Sequence, residues 1–520
     1  MDIQVSNPFC LLMLAASLAA AASDRPPVAP FESAAPLAAH GRIDQIVFDH
    51  WKKLAIQPAW PCSDEVFLRR AYLDVIGTLP TAEEASQFLA DPNPAKRGAL
   101  IDRLLERDEF ADYQAMRWSE LLRIKSEFPI NLWPNAVQAY YKWIHTAIAH
   151  NVPYDQIARQ LLVSNGSNFR VPEVNFYRAA QSKEPAALAQ AVALTFMGAR
   201  SGKWIGEMAP FFSQVGYKST DEWKEEIVYF DPTKQAPAAA VFPDGKRAHF
   251  SPGLDPRAVL ADWLIQPQNP WFARNMVNRI WYWLLGRGIV QEPDDIRPDN
   301  PPSNPELLAF LEQELVAGHY DLKHIYRLIL NSQVYQMSSL APEGQPDAAA
   351  AQFAWYPKRQ LDAEVLLDAI CQVTGATEEY ESLIPEPFTF LPEGQRAIGL
   401  PDGSISSAFL DLFGRPPRDT GLASERNNLP TAEQRLHLLN SSHIQLKIQQ
   451  STKLRTLMQA TAKPRDPIDR LYLTVLSRYP TDDELKTVAA YFQSVQGNKW
   501  PAAVDLTWAL INSAEFLYRH

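Results

Sequence analysis

A Pro-Thr-x-x-Glu/Gln signature occurs three times in the chain, as LPTAEE (79–84), LPTAEQ (429–434) and YPTDDE (479–484). A threonine at a helix N-cap accepts a hydrogen bond from the backbone N–H three residues later. A Glu or Gln at that later position reaches back to the N-cap N–H. Each proline disfavours helix in the residue before it. We therefore predict that Thr81, Thr431 and Thr481 each cap a helix, and that Ser303 with Glu306 forms a fourth capping box.

Apolar residues recur at helical spacing through most of the chain. In residues 136–151, for example, Val137, Tyr140, Ile144 and Ile148 lie along one stripe, as in an amphipathic helix. Strand-like alternation is rare. The 42 prolines fall between the helical segments, where they end and begin helices. We predict a mainly α, multi-helical protein with two packed helical domains.

One supersecondary unit is repeated near the two ends of the chain. RAYLDVIGTLPTAEE (70–84) and RLYLTVLSRYPTDDE (470–484) share Arg, Tyr-Leu and Pro-Thr at matched places. The helices that follow end alike, in LLERDEF (104–110) and LINSAEF (510–516). The repetition predicts a duplicated helix-turn-helix hairpin.

The length of 520 residues corresponds to two to four domains at roughly 100 to 200 residues each. An apolar stretch from Phe9 to about Ala20 leads into small residues at 20–23, as in a secretory signal peptide, and it is too short to cross a membrane. We therefore expect that the protein is exported to the periplasm or cell surface and that it is not an integral membrane protein. The predicted segments are a signal peptide (1–23), a flexible lead-in (24–40), an N-terminal helical domain (41–229), a Pro-rich connection (230–254) and a C-terminal helical domain (255–520).

The charge of the chain limits the partners that we expect, and its cysteine content limits the disulfide bonds that can form. The chain has 49 basic and 60 acidic residues, so its net charge is 49 − 60 = −11, with no basic stripe. Nucleic acid is therefore not an expected partner. In the mature chain only Cys62 and Cys371 remain, which could pair or stay as free thiols.

The sequence contains no common metal or nucleophile motif. The ten histidines lack the i, i+4 pairing with an intervening Glu that a helical zinc site uses, and there is no Cys-x-x-Cys. No G-x-S-x-G, G-x-G-x-x-G or phosphate loop occurs. We expect no metal centre, although an acidic loop described below could hold Ca²⁺.

The segment 269–306 has the most unusual side chains. On a helix, Arg274, Asn278 and Trp281 share one face, and Asn275 and Arg279 share the neighbouring face. Such a face could bind a sugar or planar ligand. Alternatively, these polar groups fasten loops to a helix in a large core, where each buried group needs a partner.

An acidic loop follows that helix and contains Glu292, Asp294, Asp295 and Asp299. Converging carboxylates could bind a hard cation or work as an acid/base pair, with Asp294 and Asp295 as candidate catalytic residues. Alternatively, the loop is solvated or pairs with the nearby arginines.

Two further polar groups are candidates. Asn131, Trp133 and Asn135 recur beside aromatics and could line a binding groove. In the segment ASERNNLPTAEQRLHLLN, Glu425 and His437 could form a catalytic trio with a serine, but spacing alone cannot show that these side chains meet.

Two groups of longer segments carry a family resemblance. The first consists of DEVFLRRAYLDVIGTLPT, WSELLRIKSEFPINLWPNAVQAYYKWI and SNGSNFRVPEVNFYRA. The second includes NPWFARNMVNRIWYWLLGRGIV, DDIRPDNPPSNPELLAFL and SERNNLPTAEQRLHLLN. With these segments the chain resembles a family of secreted Planctomycetes proteins built from two paired domains of unknown function, catalogued under the numbers 1549 and 1553.

This resemblance implies an exported, mainly helical protein that is joined to or encoded near c-type cytochrome modules and sulfatase-like proteins, with no assigned reaction. Many members carry a haem-type Cys-x-x-Cys-His after Phe-x-Gly-x-Arg. Here Phe196, Gly198 and Arg200 are followed by SGKWIGEMAPFF, which has neither Cys nor His. Covalent haem attachment needs those thiols, so we expect no haem cofactor.

Three functions are compatible with these observations. The first is an exported binding or scaffold protein that handles complex carbohydrate with other periplasmic or surface proteins. The second is a glycan hydrolase that uses the acidic loop and the Arg/Asn/Trp helix. The third is a non-haem partner of a c-type cytochrome. Polysaccharide or another exported protein is the expected partner.

Overall fold

The computed structural model describes residues 25–235, 237, 240–251, 253–344, 347–459, 465–495 and 499–520. The predicted signal peptide, residues 1–23, lies outside the described residues. The first part of the chain contains α1 (Arg42–Lys53), α2 (Asp64–Val75), α3 (Ala82–Ala90), α4 (Lys96–Leu105), α5 (Asp108–Leu121), α6 (Pro134–Ala149), α7 (Tyr154–Val163), α8 (Asn175–Arg178), α9 (Pro185–Met197) and α10 (Lys203–Glu207).

Helices also dominate the rest of the chain. They are α11 (Pro256–Leu264), α12 (Phe272–Leu285), α13 (Pro305–Ala317), α14 (Leu322–Leu330), α15 (Asp347–Ala350), α16 (Ala363–Thr374), α17 (Ala408–Leu412), α18 (Ala432–Asn440), α19 (Ser442–Gln449), α20 (Thr452–Gln459), α21 (Asp466–Leu476), α22 (Asp482–Ser494), α23 (Trp500–Ile511) and α24 (Ala514–Leu517). The prediction of a mainly α protein is confirmed. No helix in the described ranges is long and apolar enough to cross a membrane.

The strands are short. β1 (Gly166–Ser167), β2 (Val215–Ser219) and β3 (Glu226–Phe230) form an antiparallel sheet in the order β1-β3-β2, with Tyr217 opposite Val228. β4 (Arg359–Gln360) pairs with β5 (Tyr518–Arg519), so the C-terminal end of the chain returns to the middle of the molecule.

The three Pro-Thr capping boxes form as predicted. In the first, the Glu84 N–H donates to the Thr81 hydroxyl at 3.1 Å, and the Glu84 carboxylate accepts from the Thr81 N–H at 2.8 Å. Thr431 with Gln434 and Thr481 with Glu484 repeat this reciprocal pair at the starts of α18 and α22.

The fourth predicted box is wrong. Helix α13 is capped by Asn304, whose side chain accepts from the Leu307 N–H at 3.0 Å. Pro305 takes the first helical position, where its fixed φ suits the helix and its missing N–H costs nothing. The cap is therefore the residue directly before the proline, and Ser303 lies outside the helix.

Buried apolar side chains form two cores. The first draws mainly on residues 37–356 and the second mainly on residues 361–516. In the predicted Pro-rich connection, Phe242 lies in the first core and stacks with Phe211 and Trp263 at ring-centroid distances of 5.1 and 5.0 Å. The first core thus draws on side chains from the predicted N-terminal domain, from the predicted connection and from the predicted C-terminal domain. Cys62 lies in the first core and Cys371 packs against the second, both as free thiols.

The two repeated hairpins exchange side chains between the cores. Leu73 of α2 lies in the second core, and Leu473 of α21 lies in the first. In each hairpin an arginine bridges the capping-box glutamate and the glutamate of the terminal Glu-Phe pair. Arg107 joins Glu84 and Glu109, and Arg478 joins Glu484 and Glu515. The two arginines come from unmatched positions of the repeat, since Arg478 lies in the turn before α22 and Arg107 lies directly before α5.

A buried network of charges lies where the two cores meet. The Asp362 carboxylate pairs with Arg117 at 2.6 Å and with Arg519 at 2.9 Å, and accepts from the Tyr113 hydroxyl at 2.9 Å. Arg519 also pairs with Asp74 at 2.8 Å. Burial alone would raise the pKa of Asp362, but the guanidinium groups of Arg117, Arg519 and Arg426 outweigh it and hold that pKa well below its usual range.

Candidate functional site

The two asparagines of α12 fasten neighbouring segments to the helix. Asn275 donates its amide to the Thr195 carbonyl of α9 at 2.9 Å. Asn278 donates to the Val290 carbonyl at 3.0 Å and accepts from the Val290 N–H at 2.9 Å. Both side chains are buried. Their hydrogen bonds are therefore used within the fold, which matches the alternative that we left open for this helix.

Arg274 and Trp281 do not share an open face. The Arg274 Nε lies 2.7 Å from Glu312 Oε1 of α13. Trp281 is completely buried and packs edge-on against Phe353, with ring centroids 5.1 Å apart. A ring without solvent exposure cannot stack on a ligand, so Trp281 supports the first core.

The carboxylates of the acidic loop are engaged by arginines and by a backbone amide. Asp294 is buried, pairs with Arg279 at 2.7 Å and accepts from the Ala423 N–H at 2.6 Å. Asp295 lies 3.0 Å from Arg297 and 3.6 Å from Arg200. Asp294 thus joins α12 to the loop that contains residue 423.

In the described part of the chain, no group of three or more His, Cys, Asp and Glu side chains could hold a metal ion. The other two carboxylates of the acidic loop lie near arginines, with Glu292 3.8 Å from Arg200 and Asp299 3.1 Å from Arg297.

Glu425 and His437 lie in different surroundings. The Glu425 carboxylate accepts from the Thr420 N–H at 2.6 Å, and burial raises its pKa. The His437 ring packs edge-on against Phe409 and Phe413, and burial lowers its pKa. Within the described residues no hydrogen bond joins these two side chains to each other or to Ser424.

Trp133 belongs to an exposed aromatic surface that the sequence did not reveal as a whole. Its ring centroid lies 6.3 Å from that of Trp223 and 5.4 Å from that of Phe388. Trp223 is 69% exposed and Phe388 is 47% exposed. The Lys224 ammonium lies 5.0 Å from the Trp133 ring centroid and 5.4 Å from that of Trp223. We call Trp133, Trp223, Phe388 and Lys224 the aromatic surface.

The backbone of Trp133 is held in the left-handed region, with φ +74°. A bulky residue pays about 1–3 kcal/mol for such a conformation, which persists only where the surrounding structure imposes it. Trp133 is the residue directly before α6, whose first helical residue is Pro134. Positive φ occurs at other non-glycine residues of the fold, but at Trp133 it coincides with an exposed group of aromatic side chains, and together the two observations make the aromatic surface a candidate functional site.

Further apolar side chains are exposed on the neighbouring loops. Phe128 precedes Trp133 in the same loop, and the Leu383 N–H donates to the Glu127 carboxylate at 3.2 Å, which ties that loop to the segment before Phe388. Phe128 and Leu383 are both highly exposed. Asn131 and Asn135 flank Trp133 and are also exposed. Of the predicted ligand-binding residues, these two and Trp133 are the ones that the structure leaves accessible at one place.

Comparison with known proteins gives two family matches. Residues 42–201 match the family described as Protein of unknown function (DUF1549). Residues 256–492 match the family described as Protein of unknown function (DUF1553). No curated protein and no solved structure matches the chain.

Proposed function

Because the chain belongs to the family that pairs DUF1549 with DUF1553, neither of which has a known function, we propose a function from the surface of the molecule itself. We propose that it is an exported protein that binds complex carbohydrate and serves as a binding or scaffold component beside other periplasmic or surface proteins. The aromatic surface is the binding site.

The observation that carries this proposal is the accessible group of Trp133, Trp223 and Phe388 around a strained tryptophan. Sugar rings present C–H faces that stack on aromatic rings, and aromatic side chains bury a large apolar area at little conformational cost. Exposed apolar side chains that lie together mark ligand or partner sites, whereas single exposed apolar residues are common on any protein surface.

Because of Lys224, we expect the site to prefer acidic polysaccharides over neutral ones. Its ammonium lies over both tryptophan rings, and an ammonium beside an aromatic face is available to a carboxylate or sulfate on a bound glycan. We expect acidic polysaccharides to bind more tightly than neutral ones of the same backbone, and we expect the difference to fall with ionic strength.

The geometry favours binding over hydrolysis. A pair of catalytic carboxylates needs room for substrate between its members, whereas Asp294 is buried against Arg279 and Asp295 lies against Arg297 and Arg200. The hydrolase alternative therefore gains no support from the acidic loop. A protein partner, including a cytochrome, would use the same exposed surface and is an outcome of the test below.

Affinity electrophoresis in gels that contain neutral, uronic-acid or sulfated polysaccharides tests this function. We expect at least one polysaccharide to retard the protein, and we expect Trp223→Ala and Phe388→Ala each to weaken that retardation by about tenfold, which corresponds to about 1.4 kcal/mol. Tyr491→Ala is the matched control, because Tyr491 is an exposed aromatic residue on α22, which contributes no residue to the aromatic surface. Retardation by none of the polysaccharides would contradict carbohydrate binding and favour a protein partner.

Export has its own test. If residues 1–23 are a signal peptide, the protein recovered from the periplasm or medium begins near residue 24, as mass spectrometry of the N-terminal peptide would show. Recovery of the full-length chain only from the cytoplasm would contradict export.

A further inference from the structure

A second candidate site lies between the two family-matched parts of the chain. A cavity of about 220 Å³ is lined by Arg123, Gln181, Ala187, Gln190, Ala191, Leu194 and Arg200 from the first part and by Thr420 and Leu422 from the second. This exceeds the roughly 150 Å³ of an apolar cavity that can hold benzene. The cavity therefore has room for a small ligand or for one group of a larger ligand.

Arg123 makes this cavity unusual. Its side chain is only 3% exposed, and its Nε and Nη2 atoms are buried without a hydrogen-bond partner among the described residues. The guanidinium carbon lies 6.0 Å from the centre of the Phe176 ring. Burial lowers the pKa of Arg123, because removing the cation from water disfavours the charged form. A buried cation without a partner is costly, so the position calls for an anion.

The other arginines that are equally buried show what a satisfied guanidinium looks like in this fold. Those with carboxylate partners are Arg117, Arg257, Arg279, Arg415, Arg478 and Arg519. Those that donate to backbone carbonyls are Arg69, Arg70 and Arg418. Arg123 has neither kind of partner in the described structure, although it is buried to the same degree.

No carboxylate near the cavity forms an ion pair with Arg123 in the described structure. Glu425 acts on Arg123 electrostatically, but its carboxylate accepts from the Thr420 N–H, and its Oε2 atom is buried without a hydrogen-bond partner there. Arg200, at the exposed edge, has two acidic neighbours, Glu292 at 3.8 Å and Asp295 at 3.6 Å. Arg123 and Arg200 are thus the charged residues among those that line the cavity, and no acidic residue lines it in the described structure.

The walls are held in place by side chains that the sequence singled out for other roles. Asn275 binds the Thr195 carbonyl of α9, and Asp294 binds the Ala423 N–H of the opposite loop. Both contacts originate from α12 or from the acidic loop behind it. The two walls are thus fixed relative to each other before any ligand arrives, which lowers the entropy cost of binding.

We propose that this cavity binds an oxyanion, the carboxylate or sulfate group of a small acidic ligand, with Arg123 as its charge partner. A planar guanidinium presents N–H groups in a fork that matches carboxylate and sulfate oxygens. Arg200 and the Thr420 hydroxyl line the same cavity and add donors. This site shares no residue with the aromatic surface and does not depend on the binding of polysaccharide there.

Thermal unfolding of the full chain and of Arg123→Met tests the site in sodium sulfate, sodium acetate or sodium chloride at equal ionic strength. In chloride we expect the variant to unfold at the same temperature as the wild type or higher, because methionine removes a buried unpaired charge. In sulfate or acetate we expect the wild type to gain about 2 °C more than the variant. General stabilisation by sulfate is common to both proteins and cancels in this difference.

Two further variants keep the test decisive. Arg435→Met removes an exposed arginine outside the cavity and is expected to respond to both anions as the wild type does. Ala187→Glu places a carboxylate on the cavity wall while Arg123 remains, so it should abolish the response even if Arg123→Met does not fold. A response to sulfate alone identifies a sulfate ligand, and a response to acetate alone identifies a carboxylate.

Equal anion responses in the wild type, Arg123→Met and Ala187→Glu would overturn the oxyanion site. A large loss of stability for Arg123→Met in chloride would also count against it, since the guanidinium would then have a structural partner. Neither result would affect the polysaccharide assay with Trp223→Ala. A failure of the oxyanion site can therefore be told apart from a failure of the proposed carbohydrate binding.

Discussion

Asp362 holds together the charge network between the two cores, and its replacement by asparagine gives a sharp prediction. Arg117 has Asp362 as its carboxylate partner at 2.6 Å, whereas Arg519 keeps Asp74 at 2.8 Å when Asp362 is neutralised. Asp362→Asn therefore leaves Arg117 as a buried charge without a counter-ion. Breaking one side of a buried ion pair costs about 3–5 kcal/mol, and we expect a loss of that size in the free energy of unfolding.

The double variant Asp362→Asn with Arg117→Met isolates the cause. Because it removes both charges, it should be more stable than Asp362→Asn alone by about 1–3 kcal/mol. Urea unfolding followed by circular dichroism measures the free energies, with Glu306→Gln as a control that breaks the exposed pair between Arg42 and Glu306 and should cost less than about 1 kcal/mol.

Lowering the pH should weaken the ion pair between Asp362 and Arg117. The pKa of Asp362 is held below its unfolded value, so its contribution is fully present above that unfolded value and is lost as the pH falls through the folded pKa. The reasoning about this network would be refuted if Asp362→Asn cost less than about 1 kcal/mol, or if the cost of the double variant equalled the sum of the two single costs.

Three further predictions concern local features. Burial raises the pKa of Asp368 to about 6, so the folded chain binds a proton more readily than the unfolded chain, and stability should fall as the pH rises from about 4 to about 6. Asp368→Asn should remove about 3 kcal/mol of this pH dependence, as urea unfolding across that pH range would show, and an unchanged pH profile would contradict it. Ser477 has φ +61° and a buried hydroxyl without a partner in the described structure, so Ser477→Gly should raise the stability by about 0.5–1 kcal/mol, whereas Gly77→Ser at the matched turn should destabilise, since a Cβ there would lie 2.7 Å from the Tyr113 ring. Thermal unfolding checks both signs, and a gain for Gly77→Ser would refute the matched-turn argument. Thr481→Ala should cost about 1 kcal/mol by the same measurement, because it removes the hydroxyl that accepts from the Glu484 N–H, and no loss would contradict the capping role.

Local features of the fold could be predicted from the sequence because their causes lie within a few residues. Thr81 and Glu84 interact across three positions, so the capping boxes can be read directly. The error at Ser303 is also local, since Pro305 moves the cap to Asn304. By contrast, Leu73 lies in the second core and Leu473 in the first. This placement depends on contacts between residues that are far apart in the chain, for which one sequence gives no signal.

The candidate site was harder to predict for the same reason. The helical spacing of Asn275 and Asn278 was evident, but their partners on α9 and at Val290 were not. Trp133 was a candidate from its neighbours, whereas Trp223 and Phe388 come from distant segments. Arg123 carries no local signal, because an arginine without a partner can be recognised only when the surrounding structure is known.

The most direct test of the proposed function is the affinity of the wild-type protein for acidic polysaccharide, compared with Trp223→Ala, Phe388→Ala and Tyr491→Ala. Carbohydrate binding at the aromatic surface predicts retardation of the wild type and of Tyr491→Ala, and about tenfold weaker retardation of the other two variants. Equal retardation of all four proteins would contradict binding at this surface, and absence of retardation in every gel would contradict carbohydrate binding.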